Sequence, residues 1–298
     1  MRLFLISVIS TSFFCVQFER NMNMRKLIFS MFVIALSIVT FRAKAQETLI
    51  FNSDNLHCAD TVLVFTPANA GSLSQNMPTV FLFHGASGRY FDWSRHMDVQ
   101  ALSNETGFRI ICPDGFSASW YVDDVDPSKM QWRSFFWNEL WPYCKKNFSL
   151  EPANTFITGL SMGGHGAMSI YLDHPEYFKG AGSMSGVLDL SYSGQAKTRL
   201  PGIFGATDIR DEKCTKNYCV NRLEAYRQSL GKETDNKMLV ITCGTQDTSF
   251  LPAADAFIAK CRELGIRHIG MTSPGRHEWP YWVWAVRYHL DWFSQELK

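Results

Sequence analysis

Apolar and polar positions along this chain alternate between short β-like runs and longer stretches of helical period. Residues 47–51 and 61–65 are rich in β-branched and apolar side chains, and predict two strands paired antiparallel at one side of a sheet. Thr79-Val80-Phe81-Leu82-Phe83 is apolar without alternation, as expected of a strand covered on both faces. Strand-like runs recur at 108–112, 155–158, 181–186, 237–243 and 268–272. Helical patterns are predicted over 93–106, 132–146, 218–230, 253–264 and 281–297, and from just after Ser161 to the His174-Pro175 breaker. Residues 116–131 predict a long aromatic loop, and 187–217, where period is weak, an irregular excursion. Strands alternating with helices imply one α/β domain over 46–298, with a mostly parallel central sheet and helices on both faces.

The first 45 residues have a different pattern. Met24-Arg25-Lys26 is basic, 27–41 is an apolar run, and Ala43-Lys44-Ala45 is an A-x-A cleavage signal. Residues 1–45 are therefore expected to be a secretory signal peptide, with Met24 a candidate true start. The apolar run is shorter than the ~20 residues of a membrane-spanning helix, so no span is expected in the mature chain. The formal charge of +1 argues against nucleic acid as a partner. Of the eight cysteines, seven lie beyond the leader, and none has zinc-ligand spacing with histidine. Cys214 and Cys219 sit close together in a polar stretch and are positioned to pair in an oxidising compartment.

Chemistry enters at Gly159-Leu160-Ser161-Met162-Gly163. A serine flanked by glycines two residues away on each side, between a strand and a helix, is the pattern of a nucleophile elbow. The serine must adopt a strained backbone to stand clear of the sheet, and side chains at the flanking positions would collide across so sharp a turn. The remaining members of such a site follow the serine in the order acid, then histidine, at the carboxyl ends of strands. Asp247, in Gly244-Thr245-Gln246-Asp247, and His277, in Pro274-Gly275-Arg276-His277-Glu278-Trp279, fit both order and position. His277 is expected to act as general base and Asp247 to fix its tautomer. The backbone N–H groups of Met162 and of Ala86, in the loop after residue 83, are the expected oxyanion donors. Asp114, Asp208 and Asp211 do not match the order. His84 and His165 are expected to be structural, and this chemistry calls for no cofactor or metal.

Gly159 to Ala167, the His84-Gly85 loop, Pro113-Asp114-Gly115 with Trp120-Tyr121, Gly244 to Asp247, and Pro274 to Trp279 together resemble the esterase D family of α/β-hydrolases. That group includes S-formylglutathione hydrolases, tributyrin, feruloyl and acetyl-xylan esterases, and the antigen 85 mycolyltransferases. The resemblance runs from about residue 60 to the C-terminus. It implies an α/β-hydrolase fold and carboxylic-ester hydrolysis by a triad of Ser161, Asp247 and His277. The leader and the His-Gly-Ala loop depart from the S-formylglutathione hydrolases, and point toward an exported tributyrin-type or carbohydrate-acyl esterase.

Aromatic residues are 14% of the chain, and many fall in loops expected to rim the site. Trp120 and Tyr121 are candidate contacts to an acyl, phenolic or sugar group, with Trp93, Trp132, Phe135 and Phe136 nearby. Trp137, Trp282 and Trp284 are expected to pack in the core. The leading expectation is a secreted or periplasmic serine esterase acting on a small-molecule or carbohydrate ester. The rivals are an acyltransferase to a sugar hydroxyl and an inactive carbohydrate-binding relative.

Overall fold

The parallel part of the sheet forms where the apolar runs predict it. In the computed structural model, which describes residues 46–68 and 77–297, eight strands hydrogen-bond into one sheet. They are β1 (Gln46–Ser53), β2 (Cys58–Phe65), β3 (Thr79–Phe83), β4 (Arg109–Cys112), β5 (Thr155–Gly159), β6 (Gly180–Met184), β7 (Met238–Gly244) and β8 (His268–Ser273). Their order across the sheet is β1-β2-β4-β3-β5-β6-β7-β8. β1 pairs antiparallel with β2, and β2 antiparallel with β4, while the pairings from β4 through β8 are parallel. Every residue of β3 to β7 is buried, which accounts for runs without polar alternation. The predicted leader lies outside the described residues. No helix among those described is long and apolar enough to cross a membrane.

Side chains of the central strands alternate between two apolar layers. Phe81, Phe83, Ile157 and Ile241 join one, with the helices Met162–Asp173 and Leu251–Glu263. Val80, Leu82, Phe156 and Val240 join the other, with Val99–Thr106 and Trp279–Gln295. This is the α/β-hydrolase fold.

Three segments differ from the pattern-based expectation. The helix predicted over 93–106 is broken into Asp92–His96 and Val99–Thr106, because Asp98 caps the second piece by accepting from the Ala101 N–H at 2.8 Å. Residues 132–148 pass through a π turn at Phe136–Leu140. The excursion at 187–217 contains a helix, Gly194–Phe204. Gly194, Pro201 and Gly202 obscured its period, while Ser193, which accepts from the Ala196 N–H, marks its start.

The C-terminal helix is fixed to the sheet by a polar bond inside the apolar layer. His289, fully buried, shares hydrogen bonds with Thr158 Oγ1 of β5 at 2.9 Å and Thr242 Oγ1 of β7 at 3.0 Å. Burial holds this imidazole neutral, lowering its pKa from 6.5 to about 3. His165, equally buried, is lowered to about 3 as well. The folded state therefore refuses protons that the unfolded chain takes up as pH falls below about 6.5, and stability is lost between there and pH 3. Urea unfolding should show this fall, at up to ~1.4 kcal/mol per pH unit for each histidine. The non-titrating His289→Gln should flatten the slope by about one proton; an unchanged slope would contradict the assignment.

Candidate active site

Ser161 leaves β5 with φ 53° and ψ −118°, a conformation that non-glycine residues rarely adopt. It is held there from both sides: its N–H donates to the Met184 carbonyl at 2.9 Å, and its own carbonyl accepts from the His165 N–H at 3.1 Å. The flanking glycines are required by contact. A Cβ on Gly159 would lie 2.5 Å from the Gly163 carbonyl oxygen, and one on Gly163 would run into the backbone carbonyl of His84. Ser161 thus sits at the head of the buried helix Met162–Asp173.

Two strand ends bring the other members to it. β7 and β8 finish in register, Gly244 opposite Ser273. The loops beyond them are laced together by Thr245 N–H to Ser273 O at 2.8 Å and Gln246 N–H to Gly275 O at 2.9 Å. A Cβ on Gly244 would collide with the Gly275 carbonyl, so the loops could not approach as closely with any other residue there. Across this junction Asp247 Oδ2 lies 2.7 Å from His277 Nδ1, and His277 Nε2 lies 2.9 Å from Ser161 Oγ. Asp247 is 2% exposed, and its second oxygen accepts from the Phe250 N–H at 3.3 Å. Because the carboxylate can only accept, Nδ1 carries the imidazole proton and Nε2 is free to accept from the serine hydroxyl. The rings of Phe250 and Trp282 flank His277, with centroids 4.6 and 4.9 Å away.

The loop after β3 carries Ala86 to the same place. β3 and β5 pair in register to Phe83 opposite Gly159, and the Leu160 N–H donates to Phe83 O at 3.2 Å. The N–H groups of Ala86 and Met162 have no hydrogen-bond acceptor among the described residues, and both residues line the cleft beside Ser161. The orientation of the Ala86 N–H is set by His84, which is 1% exposed. His84 Nδ1 lies 2.8 Å from the Gly85 carbonyl, a group that can only accept, so Nδ1 carries the proton. Nε2 accepts from the Gly115 N–H at 2.7 Å, closer than the Asp114 Oδ1 contact at 3.3 Å. Gly85 C=O and Ala86 N–H belong to one planar trans peptide, so fixing the carbonyl turns the N–H the opposite way.

Beneath this loop Asp60 Oδ1 accepts from the Asp114 N–H at 3.2 Å. Burial, and then the Asp114 charge, push the Asp60 carboxyl up to about 8. The Tyr121 hydroxyl donates to His84 O at 2.8 Å, and its ring stacks on Phe83 with centroids 4.5 Å apart. Tyr121, expected at the substrate rim, is thus fully buried and supports the end of β3.

Trp120 does line the cleft, which has a volume of about 570 Å³. Trp93, Trp132, Phe135 and Phe136, expected near the rim, are core residues: Trp132, Phe135 and Phe136 pack on one another in one apolar layer, and Trp93 lies in the other, edge-on to Trp279. Trp282, expected in the core, is 7% exposed and also forms cleft wall, and Trp284 is 43% exposed. Phe250, Trp279, Val187 and Ser193 to Gln195 complete the wall and were not anticipated; the Ser193 cap was the readable signal for the last group. Cys214 and Cys219 are buried and unpaired; Cys219 Sγ instead lies 3.6 Å from His165 Nδ1, on the inner side of the elbow helix. No group of metal-ligating side chains occurs among the described residues.

A strained serine at a strand–helix corner, bonded to a histidine and a buried aspartate at the carboxyl edge of a parallel sheet, defines a serine hydrolase of the α/β-hydrolase class. Residues 53–289 match the family model described as "Putative esterase", and the chain belongs to that family. It is 26% identical over 238 residues to an acetyl esterase of Caldicellulosiruptor saccharolyticus, covering 74% of this chain and 85% of the relative. It is 26% identical over 236 residues to the diacylglycerol acyltransferase/mycolyltransferase Ag85A of Mycobacterium gordonae, covering 70% and 69%. A solved ferulic acid esterase superposes with a TM-score of 0.71 at 19% identity, covering 85% of this chain and 98% of its own, a likeness of fold.

The buried Asp60 carries a pH signature. With its carboxyl raised from 3.8 to about 8, the fold favours the protonated form, and the associated stability is lost as pH rises through that window. Asp60→Asn does not titrate, so its Tm relative to wild type should improve from pH 5 to pH 8.5. A difference that stays constant or moves the other way would contradict the neutral carboxyl.

Proposed function

We propose that the chain is an exported serine carboxylesterase that hydrolyses short acyl or aryl esters, including esters borne on carbohydrate. The observation that carries this reading is the continuous hydrogen-bonded path from Ser161 through His277 to Asp247. Ser161 Oγ attacks the ester carbonyl while its proton passes to His277 Nε2. Asp247 holds the ring in the accepting tautomer and stabilises the imidazolium that forms. The carbonyl oxygen, now an oxyanion, is received by the N–H groups of Ala86 and Met162. Collapse expels the alcohol, protonated by His277, and leaves an acyl-Ser161. Water deprotonated by His277 then attacks the acyl carbon, and release of the acid restores the serine. No cofactor enters this cycle.

The aromatic wall of Trp120, Trp279 and Trp282 suits a small acyl or aryl group, in keeping with the acetyl esterase relative. Export is supported by the leader-like pattern of residues 1–45. The Ag85A likeness favours a second reading, in which a sugar hydroxyl replaces water in the second half-reaction. Transacylated product formed in the presence of added sugar would establish it; free acid alone would not.

Purified protein should hydrolyse 4-nitrophenyl acetate or butyrate and take a fluorophosphonate label at Ser161. Ser161→Ala should lose label and lower kcat by ~10⁵-fold or more, and Asp247→Asn by ~10⁴-fold through the wrong histidine tautomer. Turnover surviving in Ser161→Ala would contradict the mechanism.

His84 enters as a positioning residue. His84→Ala should lower kcat by ~10²-fold, the loss expected when one oxyanion donor is misdirected, with KM little changed. His84→Asn, which can still donate to Gly85 O, should recover part of it. Equal loss in both variants would argue that His84 acts only through general stability.

A further inference from the structure

We propose that the catalytic cleft continues into a carboxylate-binding subsite built around Arg199, so that the ester substrate carries a carboxylate away from its scissile bond. This rests on the esterase reading and narrows its substrate class. Ser87, Gly194 and Gln195 line both the 570 Å³ cleft and a neighbouring cavity of about 300 Å³. That cavity in turn shares Ser117, Ala118 and Arg199 with a third, of about 200 Å³. One lining therefore runs from Ser161, beneath the first turns of the helix Gly194–Phe204, to the Arg199 side chain.

Arg199 is the one charged side chain lining the middle cavity, and has no carboxylate, carbonyl or ring partner among the described residues. Arg222 is engaged by Asp173, Arg267 by Glu296, and Arg109 lies over the Phe148 ring, whereas Arg89, Arg262 and Arg276 are unpaired among the described residues like Arg199 but line none of these three cavities. The one acid that shares a cavity lining with Arg199, Asp124 of the third cavity, already accepts from the Asp126 N–H at 2.9 Å and has Lys129 Nζ at 4.0 Å. What distinguishes Arg199 is its place: its exposed side chain lines a depression that shares Ser87, Gly194 and Gln195 with the cleft holding the nucleophile. A planar fork of donors with no internal acceptor is matched by a carboxylate, which it can hold through two parallel bonds. The remaining wall (Ser87, Ser117, Thr198 and Gln195) supplies hydroxyl and amide groups and no competing anion.

The test compares kcat/KM for matched charged and neutral esters, with the carboxylate placed on either side of the scissile bond. The acyl-side arm uses 4-nitrophenyl monoesters of dicarboxylic acids of increasing length against esters of the corresponding monocarboxylic acids. The alcohol-side arm uses 4-acetoxybenzoate against its methyl ester. In one arm the wild-type ratio of charged to neutral turnover should exceed that of Arg199→Gln by about 10- to 100-fold, as expected of a charge-assisted pair. Arg199→Lys should fall between them, and Arg199→Glu should reverse the preference. Ratios that do not respond to Arg199 in either arm would overturn the subsite while leaving the esterase reading intact. Absence of turnover on the neutral esters would contradict the esterase reading and this subsite with it.

Discussion

The site depends on how closely four backbone segments approach, in two pairs, at the carboxyl edge of the sheet. Gly163, the first turn of the elbow helix, is pressed against the His84 carbonyl at the end of β3, and Gly244 against the Gly275 carbonyl beyond β8. Both contacts follow from register. Phe83 lies opposite Gly159 and Gly244 opposite Ser273, so each pair of neighbouring strands ends at one level and delivers its loops side by side. The strain at Ser161, typically ~1–3 kcal/mol for such a backbone, is tolerated because the strand before it is wholly buried and the helix after it is buried from Met162 to Tyr171, so neither can relax.

A second layer of polar groups lies beneath the reacting one. His84, Gly115, Asp114 and Asp60 form a buried chain of hydrogen bonds and close contacts that ends on the Gly85–Ala86 peptide, and the Tyr121 hydroxyl anchors the same strand end. Buried polar groups are costly unless satisfied, so such a chain tends to hold a single geometry. On the opposite wall Asp247 divides its oxygens between His277 and the Phe250 N–H.

Much of this was legible in the amino-acid order. The parallel strands could be read because burial on both faces erases polar alternation, and the elbow because its glycines answer a steric need. Asp247 and His277 could be read because each follows an apolar run at its carboxyl end. What could not be read were features set by tertiary packing. The helix Gly194–Phe204 was hidden by its own glycines and proline. The aromatic loop residues divided between core and cleft in a way that period does not encode: Trp120 faces the cavity while Tyr121, one residue on, is sealed under β3. The Cys214 and Cys219 spacing suggested a bridge, but both thiols are buried and free, and Cys219 Sγ lies against His165 Nδ1.

The central claim is that the backbone amides of Ala86 and Met162 are aimed at one point above Ser161. A crystal structure of the fluorophosphonate adduct reads that point directly. The account predicts phosphorus on Ser161 Oγ and the phosphonyl oxygen within ~2.7–3.1 Å of both N–H groups. An oxygen turned toward solvent, or one bonded to neither amide, would contradict it.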